Sequence, residues 1–179
     1  MEPINRNPED LFMPFRVTST RMINSWNLNH PKEQIGIFEG FRTFKRQAYL
    51  YSLGRTIPST NPCYHDKKSH PIGTCAIHPL GARVTNAPEG LSWHNYGLAI
   101  DSVFDADPVK PALQASWDGK YPWDKMGAFG QSLGLEWAGA WKSFPEKPHF
   151  QNTYGLQITE ARELYLQGGL QAVWAEIKT

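Results

Sequence analysis

Ser92-Trp93-His94-Asn95-Tyr96-Gly97-Leu98-Ala99-Ile100-Asp101 is the stretch on which the fold of this chain turns. Leu98 to Val103 reads as a buried strand. His94 and Asp101 are seven residues apart, an odd offset that would put them on opposite faces of one straight strand. Asn95-Tyr96-Gly97 allows a bend after His94. The strand then resumes with Ala99 and Asp101 on one face and Leu98 and Ile100 on the other. An imidazole and a carboxylate can thus meet at one point. A lone histidine of this kind is more often a hydrogen-bonded structural residue than a ligand, so the pair needs a third partner.

Phe144-Pro145-Glu146-Lys147-Pro148-His149-Phe150-Gln151 offers one. Two prolines argue against a helix, which puts Glu146 and His149 on a turn entering an edge strand. His149 lies between Pro148 and Phe150, and a buried imidazole needs a partner or a metal. Glu146 is near enough to reach the same cavity without being a ligand, although a solvated surface acid is the plainer reading. Two histidines and one aspartate leave a fourth position open, the composition of a catalytic zinc site. Non-haem iron uses the same ligand types. Its first two ligands usually lie closer along a strand, so zinc ranks first.

Outward from these segments, Asn7-Pro8-Glu9-Asp10 starts a helical stretch over 8–27, and Ile35 to Glu39 reads as a short strand. Thr43 is a candidate N-cap for a helix that ends before Gly54. Residues 122–133 form another helix, Leu135-Glu136-Trp137 and His149-Phe150-Gln151 short strands, and 158–177 a helix broken near Gly168-Gly169. Helices mixed irregularly with short strands predict an α+β fold with a small, mainly antiparallel sheet.

The stretch from Thr56 to Pro88 is rich in Pro, Gly, Ser, Asn and His, and 56–83 reads as a loop insertion. It holds both cysteines of the chain, Cys63 and Cys75, with His65, His70 and His78 nearby. A local disulfide or two free thiols is the simpler reading, and a structural metal site the alternative. With 179 residues, 40% hydrophobic and seven Trp, the chain suits one compact domain over 1–179. A formal net charge of +1 gives no electrostatic case for nucleic acid or an anionic membrane. No apolar run approaches a membrane span. Met1-Glu2-Pro3 is unlike a signal peptide, so the expectation is export by a route outside this sequence. A monomer is expected.

Ser92-x-His94 with Asp101, followed by Glu146-x-x-His149, resembles the M15 peptidases, the D-alanyl-D-alanine carboxypeptidase and L-alanyl-D-glutamate endopeptidase group. Glu39-Gly40-Phe41-Arg42-Thr43-x-x-Arg46-Gln47 and Gly134-Leu135-Glu136-Trp137, leading through Trp141 to Pro145, resemble its endopeptidase branch, which includes phage endolysins. The resemblance covers roughly 30–55 and 84–175, and 56–83 is longer than the family leads one to expect.

The resemblance implies a hedgehog/DD-peptidase-like fold and zinc ligation by His94, Asp101 and His149. It further implies Glu146 as general base and Arg42 as the residue that polarises the scissile carbonyl or holds substrate. Ser92 would hydrogen-bond substrate. Trp93, Tyr96 and Trp141 are candidate groove walls, with a core role at least as natural for each. The implied substrate is the stem peptide of peptidoglycan, cut at the L-alanyl-D-glutamate bond in the cell wall or periplasm. A D-alanyl-D-alanine carboxypeptidase shares every catalytic residue, and a non-catalytic wall-binding module shares the fold. Glu136 is a rival for the base, or a residue that orients a ligand imidazole from behind.

Overall fold

The computed structural model describes residues 2–55 and 82–178. Cys63, Cys75, His65, His70, His78 and nearly all of the expected insertion lie outside the described residues. The rest forms an antiparallel sheet with helices against it. Strand β1 (Ile35–Glu39) pairs with β2 (Ala99–Asp105), β2 with β5 (His149–Gln151), and β5 with β4 (Glu136–Trp137). A two-residue strand β3 (Ala115–Ser116) pairs with the far end of β2. The helices are α1 (Met13–Asn29), α2 (Phe44–Ser52), α3 (Trp123–Ser132) and α4 (Ile158–Glu176). The α+β expectation holds. One correction concerns β5, which is not an edge strand but lies between β2 and β4. Pro145 and Pro148 precede it and so remove no N–H from its ladder.

The two sheet faces have opposite characters, as a period of two requires. Ile100, Phe150 and Trp137 are neighbours across β2, β5 and β4 and belong to the buried core. Helix α3 comes close to this face because Gly127 and Gly130 leave room: a Cβ at Gly127 would sit 2.2 Å from the Trp137 ring, and one at Gly130 2.4 Å from Phe150. Met22 and Trp26 of α1 join the same core. Trp137 also donates from Nε1 to the Lys147 carbonyl at 2.7 Å, which ties the 138–148 loop to the sheet.

The opposite face is polar. Asp101 stands directly across from His149 on one side and from Glu39 on the other. Glu39 reaches this face only through an irregularity in β1. Ile37 pairs with Ser102, but the next pair is Glu39 with Asp101, so Phe38 is the extra residue of a bulge. In an unbroken ladder Glu39 would share the face of Ile37.

The expected bend before β2 is a 3-10 turn, Trp93–Tyr96, closed by Gly97 in the left-handed region at φ 68. A side chain at 97 would also meet the Asp10 carbonyl at 3.0 Å. Trp174 of α4 donates to the Tyr96 carbonyl at 2.8 Å and fastens the turn. Helix α2 begins at Thr43, whose hydroxyl accepts from the Arg46 N–H at 3.1 Å, a cap worth about 1 kcal/mol. Helix α4 is interrupted at Gly168 and Gly169, as the glycine pair predicts. Among the described residues no helix is long and apolar enough to cross a membrane.

Candidate metal centre

The cross-strand pair Asp101–His149 and the turn residue His94 bring three donor atoms together. His94 Nε2 lies 3.2 Å from His149 Nδ1. Asp101 Oδ1 lies 3.3 Å from each. This near-equilateral triangle can be tested against a metal. Tetrahedral nitrogen and oxygen donors about 2.0–2.1 Å from one ion stand about 3.3 Å from each other. The donors fit, and His94, Asp101 and His149 form the group able to hold a metal ion among the described residues.

Each imidazole is oriented from behind. The Gly40 carbonyl lies 2.7 Å from His94 Nδ1, so that nitrogen carries the proton and Nε2 presents its lone pair. Gln151 Oε1 lies 2.9 Å from His149 Nε2, which turns the His149 Nδ1 lone pair toward the triangle. Gln151 donates in turn to Glu136 Oε2 at 2.7 Å, and Trp141 Nε1 donates to Glu136 Oε1 at 2.8 Å.

Asp101 is held from its other oxygen. Arg42 donates to Asp101 Oδ2 at 3.0 Å, to Glu39 Oε2 through Nε and a terminal nitrogen at 3.0 and 2.8 Å, and to Gln47 Oε1 at 2.9 Å. Arg46 pairs with the remaining Glu39 oxygen. Glu39 is 1% exposed and Arg42 6%, so neither charge would be stable here alone. Removing one member of such a buried pair typically costs about 3–5 kcal/mol.

These surroundings set the protonation states. Burial alone would raise Asp101, but His94, the hydrogen bonds from both imidazoles and the Arg42 charge outweigh it and hold its carboxyl well below the usual range. Burial, then the Arg42 charge, lowers His94, which favours the neutral ligand form. Burial also works to lower His149, yet its hydrogen bond to Asp101, the Asp101 charge and Gln151 prevail and raise it. A metal binding here competes with a proton for His149. Glu146 is raised, chiefly by burial.

A groove of about 1010 Å³ opens over the triangle, bordered by Ser92, Trp93, Trp141, Phe144 and Glu146 along with the three donors. The half-buried Glu146 carboxylate accepts no hydrogen bond and joins no ion pair among the described residues. Ser92 is buried at the groove wall, and its hydroxyl likewise makes no hydrogen bond among them. The Trp141 ring lies 5.7 Å from that of His149.

Tyr96 is the correction among the expected wall residues. It is 0% exposed, its hydroxyl donates to the Gly90 carbonyl at 2.7 Å, and it does not border the groove. The turn that delivers His94 points the next aromatic into the core. Arg42 borders the groove, but its hydrogen bonds go to protein acceptors that include Asp101 Oδ2. Sequence reasoning missed Gln47 and Gln151. Gln151 was within reach, because it lies two residues after His149 and therefore on the same strand face.

Comparison with known proteins agrees with this chemistry. Residues 85–152 match the family model of an M15 peptidase described as D-alanyl-D-alanine carboxypeptidase. The chain is 36% identical over 119 residues to the peptidoglycan L-alanyl-D-glutamate endopeptidase CwlK of Bacillus subtilis (strain 168). That match covers 64% of this chain and 58% of the relative's length. Among solved structures, the L-Ala D-Glu endopeptidase ChiX of Serratia marcescens is similar at 20% identity and a TM-score of 0.47. It covers 83% of this chain and 84% of that one.

Proposed function

We infer that this chain is an M15 peptidase, a zinc-dependent hydrolase of peptidoglycan cutting the L-alanyl-D-glutamate bond of stem peptides. The observation that carries the reading is the triangle of His94, Asp101 and His149 with the Glu146 carboxylate, unpartnered among the described residues, beside it on one groove. Two imidazoles and a carboxylate with an open fourth side are the donor set of catalytic zinc. Kinship with CwlK favours the endopeptidase over the carboxypeptidase for which the family model is named.

Bound there, zinc supplies Lewis acidity, lowering the pKa of a water and polarising the scissile carbonyl. Glu146 takes the proton of the attacking water and returns it to the leaving amine. Burial raises its carboxyl and so makes it a stronger proton acceptor than an ordinary glutamate. The Ser92 hydroxyl hydrogen-bonds substrate backbone, and Trp93 and Trp141 wall the groove. Arg42 keeps Asp101 ionised and oriented, and any help it gives to the carbonyl is additional to that task.

Digestion of purified peptidoglycan followed by mass spectrometry tests the reading. Fragments ending in L-alanine, with partners beginning at D-glutamate, are expected. Release of terminal D-alanine alone would identify a carboxypeptidase, and an unchanged wall a binding module.

Arg42→Lys keeps the charge but replaces a planar fork that serves three acceptors with a single ammonium. With Asp101 Oδ2 and Glu39 both underserved, kcat is expected to fall by about ten- to a hundredfold, with KM changed much less. Steady-state kinetics on a stem-peptide substrate would check this. Wild-type values would mean that Asp101 holds its position without the fork.

A further inference from the structure

Behind His149, hydrogen bonds from the groove wall and from the ligand side converge on the Glu136 carboxylate. Trp141 Nε1–H donates to Glu136 Oε1 at 2.8 Å, and Gln151 Nε2–H donates to Glu136 Oε2 at 2.7 Å. Gln151 Oε1 faces His149 Nε2 at 2.9 Å. Glu136 and Gln151 are cross-strand neighbours on β4 and β5, so the sheet itself sets their spacing. We propose that Glu136 and Gln151 are positioning residues whose hydrogen-bond polarity selects the His149 tautomer that presents Nδ1 to the metal, and that Trp141 links this device to the groove.

The direction follows from which groups can only accept. An ionised carboxylate is acceptor-only, whereas an amide has one accepting and one donating end. Glu136 thus draws the NH2 of Gln151 toward itself. The amide oxygen must then face His149, where it can only receive a proton from Nε2. With that proton fixed on Nε2, the Nδ1 lone pair is free. If the Gln151 amide were reversed, its NH2 would need a bare Nε2, and the imidazole proton would move to Nδ1 and block coordination. A glutamine alone cannot choose between these states; the carboxylate behind it does. Trp141 has a second role, because its ring walls the groove while its N–H anchors the outer oxygen of Glu136.

This positioning role rests on the metal-centre reading above, and its test separates the two. Glu136→Gln keeps the shape but reverses the polarity: Trp141 N–H holds the new amide's oxygen, its NH2 faces Gln151, and Gln151 must turn its own NH2 toward His149. It is expected to weaken zinc binding about 10- to 100-fold, measured by chelator competition, as loss of such an outer partner does. The exchanged pair Glu136→Gln with Gln151→Glu restores the direction in full. His149 Nε2–H and the amide then at position 136 both donate to the carboxylate then at position 151, and Trp141 donates to the oxygen of that amide. Most of the lost affinity should return, a rescue that mere loss of packing would not allow.

Imidazole nitrogen shifts, read in the metal-stripped full chain at a pH above the histidine titration, report the tautomer without zinc. The proton should sit on Nε2 in the wild type and the exchanged pair, and shift to Nδ1, which faces Asp101 Oδ1, in Glu136→Gln. Trp141→Phe removes only the outermost donor from a half-buried ring, so it is the variant least exposed to misfolding. It should weaken zinc several-fold. A wild type that takes up no zinc would overturn the metal reading while the nitrogen shifts still judge the polarity. Unchanged shifts in Glu136→Gln, or an exchanged pair no better than the single variant, would overturn the proposal.

Discussion

Replacing His94, Asp101 or His149 with alanine is expected to abolish metal retention and peptide hydrolysis together. The three donor atoms lie 3.2–3.3 Å apart, so each supplies one corner of a small, closed set, and two remaining donors cannot define the geometry. Turnover should fall by on the order of 10³-fold or more, because both the activated water and the polarised carbonyl depend on the metal. The three variants should differ in stability. Asp101→Ala also strips the Arg42 fork of one acceptor in a buried charge cluster, and should melt at the lowest temperature. Elemental analysis beside a thermal melt separates the effects. Full zinc content in all three folded variants would refute the ligand assignment.

Glu146→Gln should leave the fold and the metal content intact and remove turnover. The change is nearly isosteric, and the carboxylate it removes holds no partner among the described residues that would be missed. What disappears is the ability to accept a proton, worth roughly 10²–10⁴ in rate for a positioned base. The pH profile carries a second signature. Burial raises the Glu146 carboxyl, and the active form is the ionised one. The wild-type rate should therefore fall as pH drops through that raised value, and the residual activity of Glu146→Gln should lack this acid limb. A Glu136→Gln enzyme that keeps its zinc but is dead, beside an active Glu146→Gln, would place the base at the wrong residue.

The convergence of His94, Asp101 and His149 was legible in the sequence because spacing, bend and chemistry constrained each other. An odd offset between His94 and Asp101 makes sense only if Asn95-Tyr96-Gly97 turns the chain, and Gly97 does occupy the conformation that turn requires. Glu146 was legible as a carboxylate near His149, although its lack of partners among the described residues was not. Harder to foresee were features that arise from pairing between distant segments. Nothing within Ile35–Glu39 announces that Phe38 bulges, and nothing near Glu136 announces that Gln151 will stand across from it. Tyr96 was misplaced for a related reason. Adjacent residues of a tight turn point in divergent directions, and proximity in sequence to His94 said little about proximity to the groove.

The bulge at Phe38 makes the site sensitive to length as well as to residue identity. Strand faces alternate by counting, so Glu39 keeps its face only while Phe38 stays out of the ladder. Closing the bulge with Phe38 kept and paired to Asp101 would give a more regular ladder, with one more well-formed pair beside β2. It would also rotate the Glu39 carboxylate toward the apolar side and leave the Arg42 and Arg46 guanidiniums without their shared counter-ion. A local gain in hydrogen bonding would thus be a global loss in charge balance. A single-residue insertion in this five-residue strand should be far less tolerated than most point substitutions there, whereas deletion of Phe38 itself leaves Glu39 across from Asp101.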